Sequence, residues 1–267
     1  MKTNNLLILL IVLLFASCAN NVDNTNAQFD EQYKVSDFLT CEQLHDASGL
    51  KLYPFIPFTD EEMRLKSYEY KLERRQIPKS YMQGMTTKEL FYQFVCCDLS
   101  KSMGLFNSMQ QGFEALTQQL NMLPELLNRR DAGSVLLKIL QEADPSRIEG
   151  LDCFWWFDCI QIIAAQPEVI NRMTDEEIDC YVQQQLSCQE KIRSLSVTNE
   201  NWDCPESLGT ILFGLGNVMT QYKFEPFMQL LETNQGVSGL MASGMVRNEQ
   251  VAALVNDCID KFKSRAK

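Results

Sequence analysis

Apolar residues along this chain recur at spacings of three and four, and strict alternation is scarce, so the pattern predicts an all-α body. Helix starts are marked by a hydroxyl followed three residues later by Glu. Thr59 with Glu62 opens "TDEEMRLKSYEYKLERRQ", Thr86 with Glu89 opens "TKELFYQFVCC", and Thr174 with Glu177 opens "TDEEIDCYVQQQLSCQEKI". In each the hydroxyl can accept from the third backbone N–H while the Glu reaches back to the cap. Further helices are expected near 107–120, 132–142, 148–165, 205–221 and 249–263. "GLKLYPFIPF", 49–58, sets two prolines among aromatics and reads as an extended strap laid over helices.

The N-terminus has a different pattern. Lys2 precedes an apolar run, Leu6 to Phe15, of about half the length needed to span a bilayer as a permanent helix. It ends at Ala16-Ser17-Cys18, so it reads as an export signal whose cysteine becomes the first mature residue and carries the lipid, although Phe15 stands where such motifs more often have Leu. Residues 1–17 are then a lipoprotein signal peptide. Residues 18–30, rich in Asn and poor in large apolar side chains, form a flexible tether. Residues 31–267 form one all-helical domain. Several acyl chains on Cys18 would anchor the chain to a membrane without spanning it, in a bacterial envelope, on a periplasmic or surface face.

Two segments echo each other. "PELLNR" at 124–129 and "PEVINR" at 167–172 share Pro, Glu, Asn and Arg in register, each after a long apolar helix and before another, and "EPFMQLL" at 225–231 is a weaker third copy. The period suits a helical-repeat, solenoid-like stack of antiparallel hairpins. Because Pro followed by Glu opens helices of many kinds, an irregular helical bundle stays equally open. "QIPKSYMQGMTTKELFYQFV" (76–95) and "QQGFEALTQQLNMLPELLNRRDAGSVLLKIL" (110–140) resemble a group of uncharacterised exported proteins and lipoproteins of Bacteroidota. Leu120-Asn121 stands where that group has Phe-Asn, and the resemblance fades after about residue 142. It implies a lipoprotein with an all-helical fold and no assigned activity.

Ten cysteines in an exported chain require an account. If Cys18 is lipidated, an odd number remains, so at least one is free or bridged to another molecule. In a hairpin folded about residue 170, Cys153 faces Cys188 and Cys159 faces Cys180 at one antiparallel register. With axes about 9 Å apart, each Cα pair would come to roughly 6–7 Å, the outer limit for a disulfide. These pairs are expected as two staples, unless PEVINR forms a helix of its own and spoils the hairpin, or the thiols act only as small core hydrophobes. Cys41, Cys96, Cys97, Cys204 and Cys258 have no pairing from sequence.

Charge narrows the function. The net charge is −11, and removal of residues 1–17 takes Lys2 with it, so nucleic acid is not an expected partner. The basic "KFKSRAK" end suits a helix C-terminus. No metal-binding spacing, nucleophile elbow, phosphate loop or dinucleotide fingerprint occurs, and no cofactor is expected. The single histidine, His45, lies near Cys41 and Asp46 at helical spacing, but a cap or surface role is favoured over thiol activation. Asp60-Glu61-Glu62 and Asp175-Glu176-Glu177 sit in first helical turns, which the macrodipole explains. "FWWF" at 154–157 wraps a full helical turn, so most of its rings face the core; Trp155 and Trp156 are the candidates for ligand contact. Small residues in "LFGLGNVMTQ" and "GVSGLMASGM" predict close helix packing. The expectation is a lipid-anchored, non-catalytic module that binds an envelope protein. Binding of a glycan or small ligand is the alternative, and a carboxylate-dependent hydrolase comes third.

Overall fold

The computed structural model describes residues 49–147, 151–198 and 205–264. The signal peptide, the tether, Cys18, Cys41, His45 and Cys204 lie outside them, as does the side chain of Cys153. The described residues are all-α. The helices are α1 (Asp60–Leu65), α2 (Tyr68–Glu73), α3 (Lys79–Met82), α4 (Thr87–Val95), α5 (Met109–Gln119), α6 (Met122–Asn128), α7 (Ala132–Glu142), α8 (Leu151–Ala164), α9 (Pro167–Ile170), α10 (Asp175–Thr198), α11 (Pro205–Gln221), α12 (Glu225–Thr233), α13 (Gln235–Ser243) and α14 (Glu249–Ser264), with 3-10 turns at Ser100–Leu105 and Pro145–Arg147.

All three sequence-marked capping boxes form. Thr59 and Thr86 each accept from the third backbone N–H and receive the returning Glu carboxylate. Glu177 N donates to Thr174 Oγ1 at 3.2 Å, and Thr174 N donates to Glu177 Oε2 at 2.9 Å. One expected helix is two: Lys66 turns to extended φ/ψ, and Ser67 starts α2 by accepting from Tyr70 N. The serine is a better cap than a helix-interior residue, and it interrupts an apparently continuous pattern.

One continuous core runs from Leu52 to Phe262. Its axis is α11, which packs against α5, α8, α9, α10, α12, α13 and α14. Glycines make that crowding possible, as the small-residue spacing predicts. A Cβ on Gly209 would lie 2.3 Å from Gly244 O, one on Gly214 would lie 2.1 Å from Tyr181 Oη, and one on Gly216 would lie 2.4 Å from Met241 Sδ. Gly244, at φ 69°, ends α13 in the left-handed region that glycine enters at no steric cost.

The expected hairpin of α8 and α10 does not form as a directly packed pair. PEVI folds as α9, a helix begun by Pro167, and wedges beside α11 and α7. α8 then packs chiefly on α7 and α11, and α10 on the same two helices. Cys159, Cys180 and Cys188 are free, so neither the Cys159–Cys180 nor the Cys153–Cys188 bridge is made. Cys159 is buried while Cys180 points to solvent, which puts them on opposite sides of their helices' packing surfaces. Cys96 is disulfide-bonded, to a partner outside the described side chains.

Candidate functional site

Two places stand out against this packed frame. The first is the strap, residues 49–58, held along α4 by side chains that take the part of a neighbouring strand. Lys51 N donates to Glu89 Oε1 at 2.8 Å, Tyr53 N donates to Gln93 Oε1, and Gln93 Nε2 returns a bond to Tyr53 O at 3.3 Å. Tyr81 Oη donates to Leu52 O at 3.0 Å. These bonds satisfy backbone groups that an extended segment would otherwise leave open.

Arg75 locks the far end of the strap. It is 3 % exposed and its guanidinium grips Asp98 with two bonds, Nε to Oδ1 at 2.8 Å and Nη2 to Oδ2 at 2.7 Å. The same planar group lies 3.9 Å from the Phe58 ring centroid and 5.1 Å from that of Phe55, and Nη1 donates to Ile56 O. Arg74 continues the stack, 4.9 Å from the Phe58 centroid, and pairs with Glu62 at 2.6 Å. That network draws the Glu62 carboxyl down to about 2, first through the Thr59 backbone N–H and then the Tyr70 hydroxyl. Lys71 Nζ donates to Met63 O, closing the C-terminal end of α1.

The clamp presents an apolar edge. α1 has no buried residue, yet it carries Met63 and Leu65, the latter 65 % exposed, and Ile56 beside it in the strap is 71 % exposed. Over residues 49–82, seven Lys and Arg stand against five Asp and Glu, so this end is locally basic in an acidic chain.

The second place is inside, where α8, α10 and α11 meet. Asp158, Gln161, Gln185, Gln189, Ser207 and Thr210 are all buried there. Ser207 Oγ donates to Asp158 Oδ1 at 2.7 Å, and Gln185 Nε2 donates to the fully buried Tyr181 Oη at 2.9 Å. Gln161 lies against the Cys188 thiol, and Gln185 Oε1 and Gln189 Nε2 have no hydrogen-bond partner. Gln189 also borders an open surface depression along α10 with Leu186, Glu190, Arg193 and Ser194.

The sequence-nominated residues fall differently. Trp156 is 2 % exposed, its ring set edge-on to Phe91 at 5.7 Å and tilted on Tyr92 at 6.0 Å, so it is a core residue rather than a ligand contact. Trp155 is half-buried and donates its indole N–H to Ser100 Oγ at 3.1 Å. The acidic triplets occupy the first turns of α1 and α10, as expected. Burial pushes the Cys97 thiol up to about 12 and the Cys188 thiol to about 11, and raises Cys159 as well. These three are protonated at neutral pH and poor nucleophiles. Glu62, Glu89, Asp144 and Glu177 are all held below the usual carboxylate range, Glu89 by the Thr86 and Lys51 backbone N–H groups against the opposing effect of burial. Among the described residues, no group of three His, Cys, Asp or Glu could hold a metal ion.

The buried glutamines carried a signal in the sequence. Ile178, Tyr181, Val182, Gln185, Gln189 and Ile192 follow one helical stripe, so Gln185 and Gln189 stand in the register of the core positions. No family model, curated protein or solved structure matches this chain.

Proposed function

We propose that the chain is an exported lipoprotein, tethered to a bacterial envelope membrane through Cys18, that acts by docking another envelope protein rather than by catalysis. The observation that carries this reading is the strap edge: Ile56, Met63 and Leu65 stand in solvent on a short helix with no core of its own, yet the Arg74–Glu62 pair, the Arg75 clamp and Lys71 hold that helix in one position. Exposed apolar side chains fixed on a rigid mount suit a binding surface better than a solvated loop. Arg64 and Lys66 flank them, so the matching surface is an apolar groove rimmed by acidic side chains.

Export is supported by the signal-like opening, by the resemblance to Bacteroidota lipoproteins, and by the Cys96 disulfide, which belongs to an oxidising compartment. Carboxylates held low suit capping and ion pairing, whereas a general acid requires one raised toward neutrality. A photo-cross-linking residue placed at Leu65 in the full chain, in its own cells, tests the docking reading, with one at exposed Lys138 as control. The expected result is one protein joined through position 65 and absent at 138. The same adducts at both positions, or none at 65, would overturn it.

A further inference from the structure

We propose that the partner of Cys96 is Cys153, so that a disulfide made on export ties the turn after α4 to the first turn of α8. Cys96 is bridged, whereas Cys97, Cys159, Cys180, Cys188 and Cys258 are free. Of the remaining cysteines, Cys18, Cys41, Cys153 and Cys204, the first is assigned to the lipid. The contacts of α8 choose among the rest. The Trp156 ring lies 5.7 Å from that of Phe91 and 6.0 Å from that of Tyr92, and Tyr92 is one turn before Cys96, whose backbone N–H donates to Tyr92 O at 2.9 Å. Trp155 Nε1 donates to Ser100 Oγ at 3.1 Å, and Ser100 N donates to Cys97 O at 2.9 Å. The start of α8 is therefore laid over the end of α4 and the turn that follows it, with Cys96 between the two tryptophan contacts. Cys153 precedes these tryptophans on α8, a rise of about 4.5 Å before Trp156.

Rotation about α8 selects the same pair. At about 100° per residue, position 153 stands about 60° round the helix from Trp156 and about 140° from Asp158, which puts it on the α4 side. Asp158 meets α11, where Ser207 Oγ donates to its Oδ1 at 2.7 Å. α11 thus approaches α8 on the side turned away from α4, and Cys204 immediately precedes α11. The strap advances along α4 in the same sense, with Lys51 at Glu89 and Tyr53 at Gln93, so its earlier residues lie toward the Thr87 end, and Cys41 precedes them. Of the vicinal pair, Cys97 is 1 % exposed while Cys96 is half-buried, so Cys96 is the thiol open to exchange. The two thiols give up two protons and two electrons. One attacks the disulfide of an envelope thiol–disulfide oxidoreductase as thiolate and expels one donor sulfur; the other then displaces the second, leaving the donor as its dithiol. The bridge closes a loop holding α5, α6 and α7, and braces the turn that carries Asp98, the anchor of the Arg75 clamp. It does not depend on the strap edge being a docking surface.

The test is peptide mapping of the full chain, purified from its own cells without reductant, alkylated in denaturant and cut with trypsin. The expected product joins residues 89–101 to residues 148–172, with the alkyl label on Cys97 and Cys159 and none on Cys96 or Cys153. A link from Cys96 to Cys18, Cys41 or Cys204, or label on both Cys96 and Cys153, would overturn the proposal. Thermal unfolding gives a second reading. Cys96→Ala, Cys153→Ala and the double variant should melt together, about 5–15 °C below the wild type, as the loss of one long-loop bridge requires. Losses that add would mean separate partners and would overturn it. The map needs no substitution, so it decides the matter if the variants do not fold.

Discussion

Gly214→Ala is the sharpest test of how the core is built. The added Cβ would lie 2.1 Å from Tyr181 Oη, 3.0 Å from Ala165 Cβ and 3.3 Å from Ala165 Cα. All three neighbours belong to fully buried residues, and Tyr181 is further held by Gln185, so the hydroxyl cannot simply swing aside. Helix propensity alone would favour alanine by about 1 kcal/mol in this helix interior. Overpacking costs about 1–3 kcal/mol, and a contact this short belongs at the upper end. The net expectation is a loss of about 1–2 kcal/mol, read as a shift in urea midpoint by far-ultraviolet circular dichroism with an unchanged slope. Tyr181→Phe removes the offending oxygen but leaves the Gln185 amide unpaired, at a cost of about 1 kcal/mol by itself. The double variant should therefore lose less than the sum of the single variants, with a coupling of about 1 kcal/mol. Gly239→Ala, on α13 with nothing within 4 Å of the position its methyl would take, should instead stabilise by about 0.5–1 kcal/mol. A Gly214→Ala variant as stable as the wild type, or strict additivity with Tyr181→Phe, would refute the reasoning.

Other expectations follow from the same contacts. Arg75→Ala removes a two-bond ion pair and the stacking on Phe58, and should cost about 2–3 kcal/mol; Asp98 stays hydrated at 39 % exposure, which keeps the loss below that of a fully buried pair. Limited proteolysis should then cut the strap between Tyr53 and Phe58, and Arg75→Lys should rescue little, because an ammonium cannot make both bonds and the stack. For acid, Glu62, Glu89, Asp144 and Glu177 all have folded-state values below their unfolded ones, so their stabilisation is complete above about pH 5 and drains away as pH falls toward the Glu62 value of about 2. A stability profile that rises on acidification through that window would contradict the assignments. In native protein a thiol reagent should label Cys180 quickly and Cys97, Cys159 and Cys188 only on unfolding; protection of Cys180 would restore the case for a bridge.

Much of this fold is legible from local rules. The three Thr-x-x-Glu starts, the helices near 107–120, 132–142, 205–221 and 249–263, and the glycine-lined packing of α11 depend on residues within a turn or two of each other, and they appear where the pattern places them. What depends on distant partners is not legible. Glu89 reads as a capping residue, and its second bond to Lys51 N needs the strap already in place. Cys159 and Cys180 align in a two-helix hairpin, but α8 and α10 each pack chiefly on α7 and α11, and no short-range signal reports that. The glutamines of α8 and α10 look like surface residues by type, and only their position in the apolar stripe marks them as interior. Trp156 fails as a ligand contact for the opposite reason: an aromatic cluster looks functional until Phe91 and Tyr92 are found to fill its face.

Where Cys18 places the chain decides the functional account, and membrane fractionation of cells carrying wild type or Cys18→Ala measures it directly. The account predicts the wild type in the membrane fraction, released by detergent and not by salt, and the variant in the soluble fraction or retained as unprocessed precursor. Equal distribution of the two, with processing unchanged, would contradict lipid anchoring and with it the proposal of a tethered docking protein.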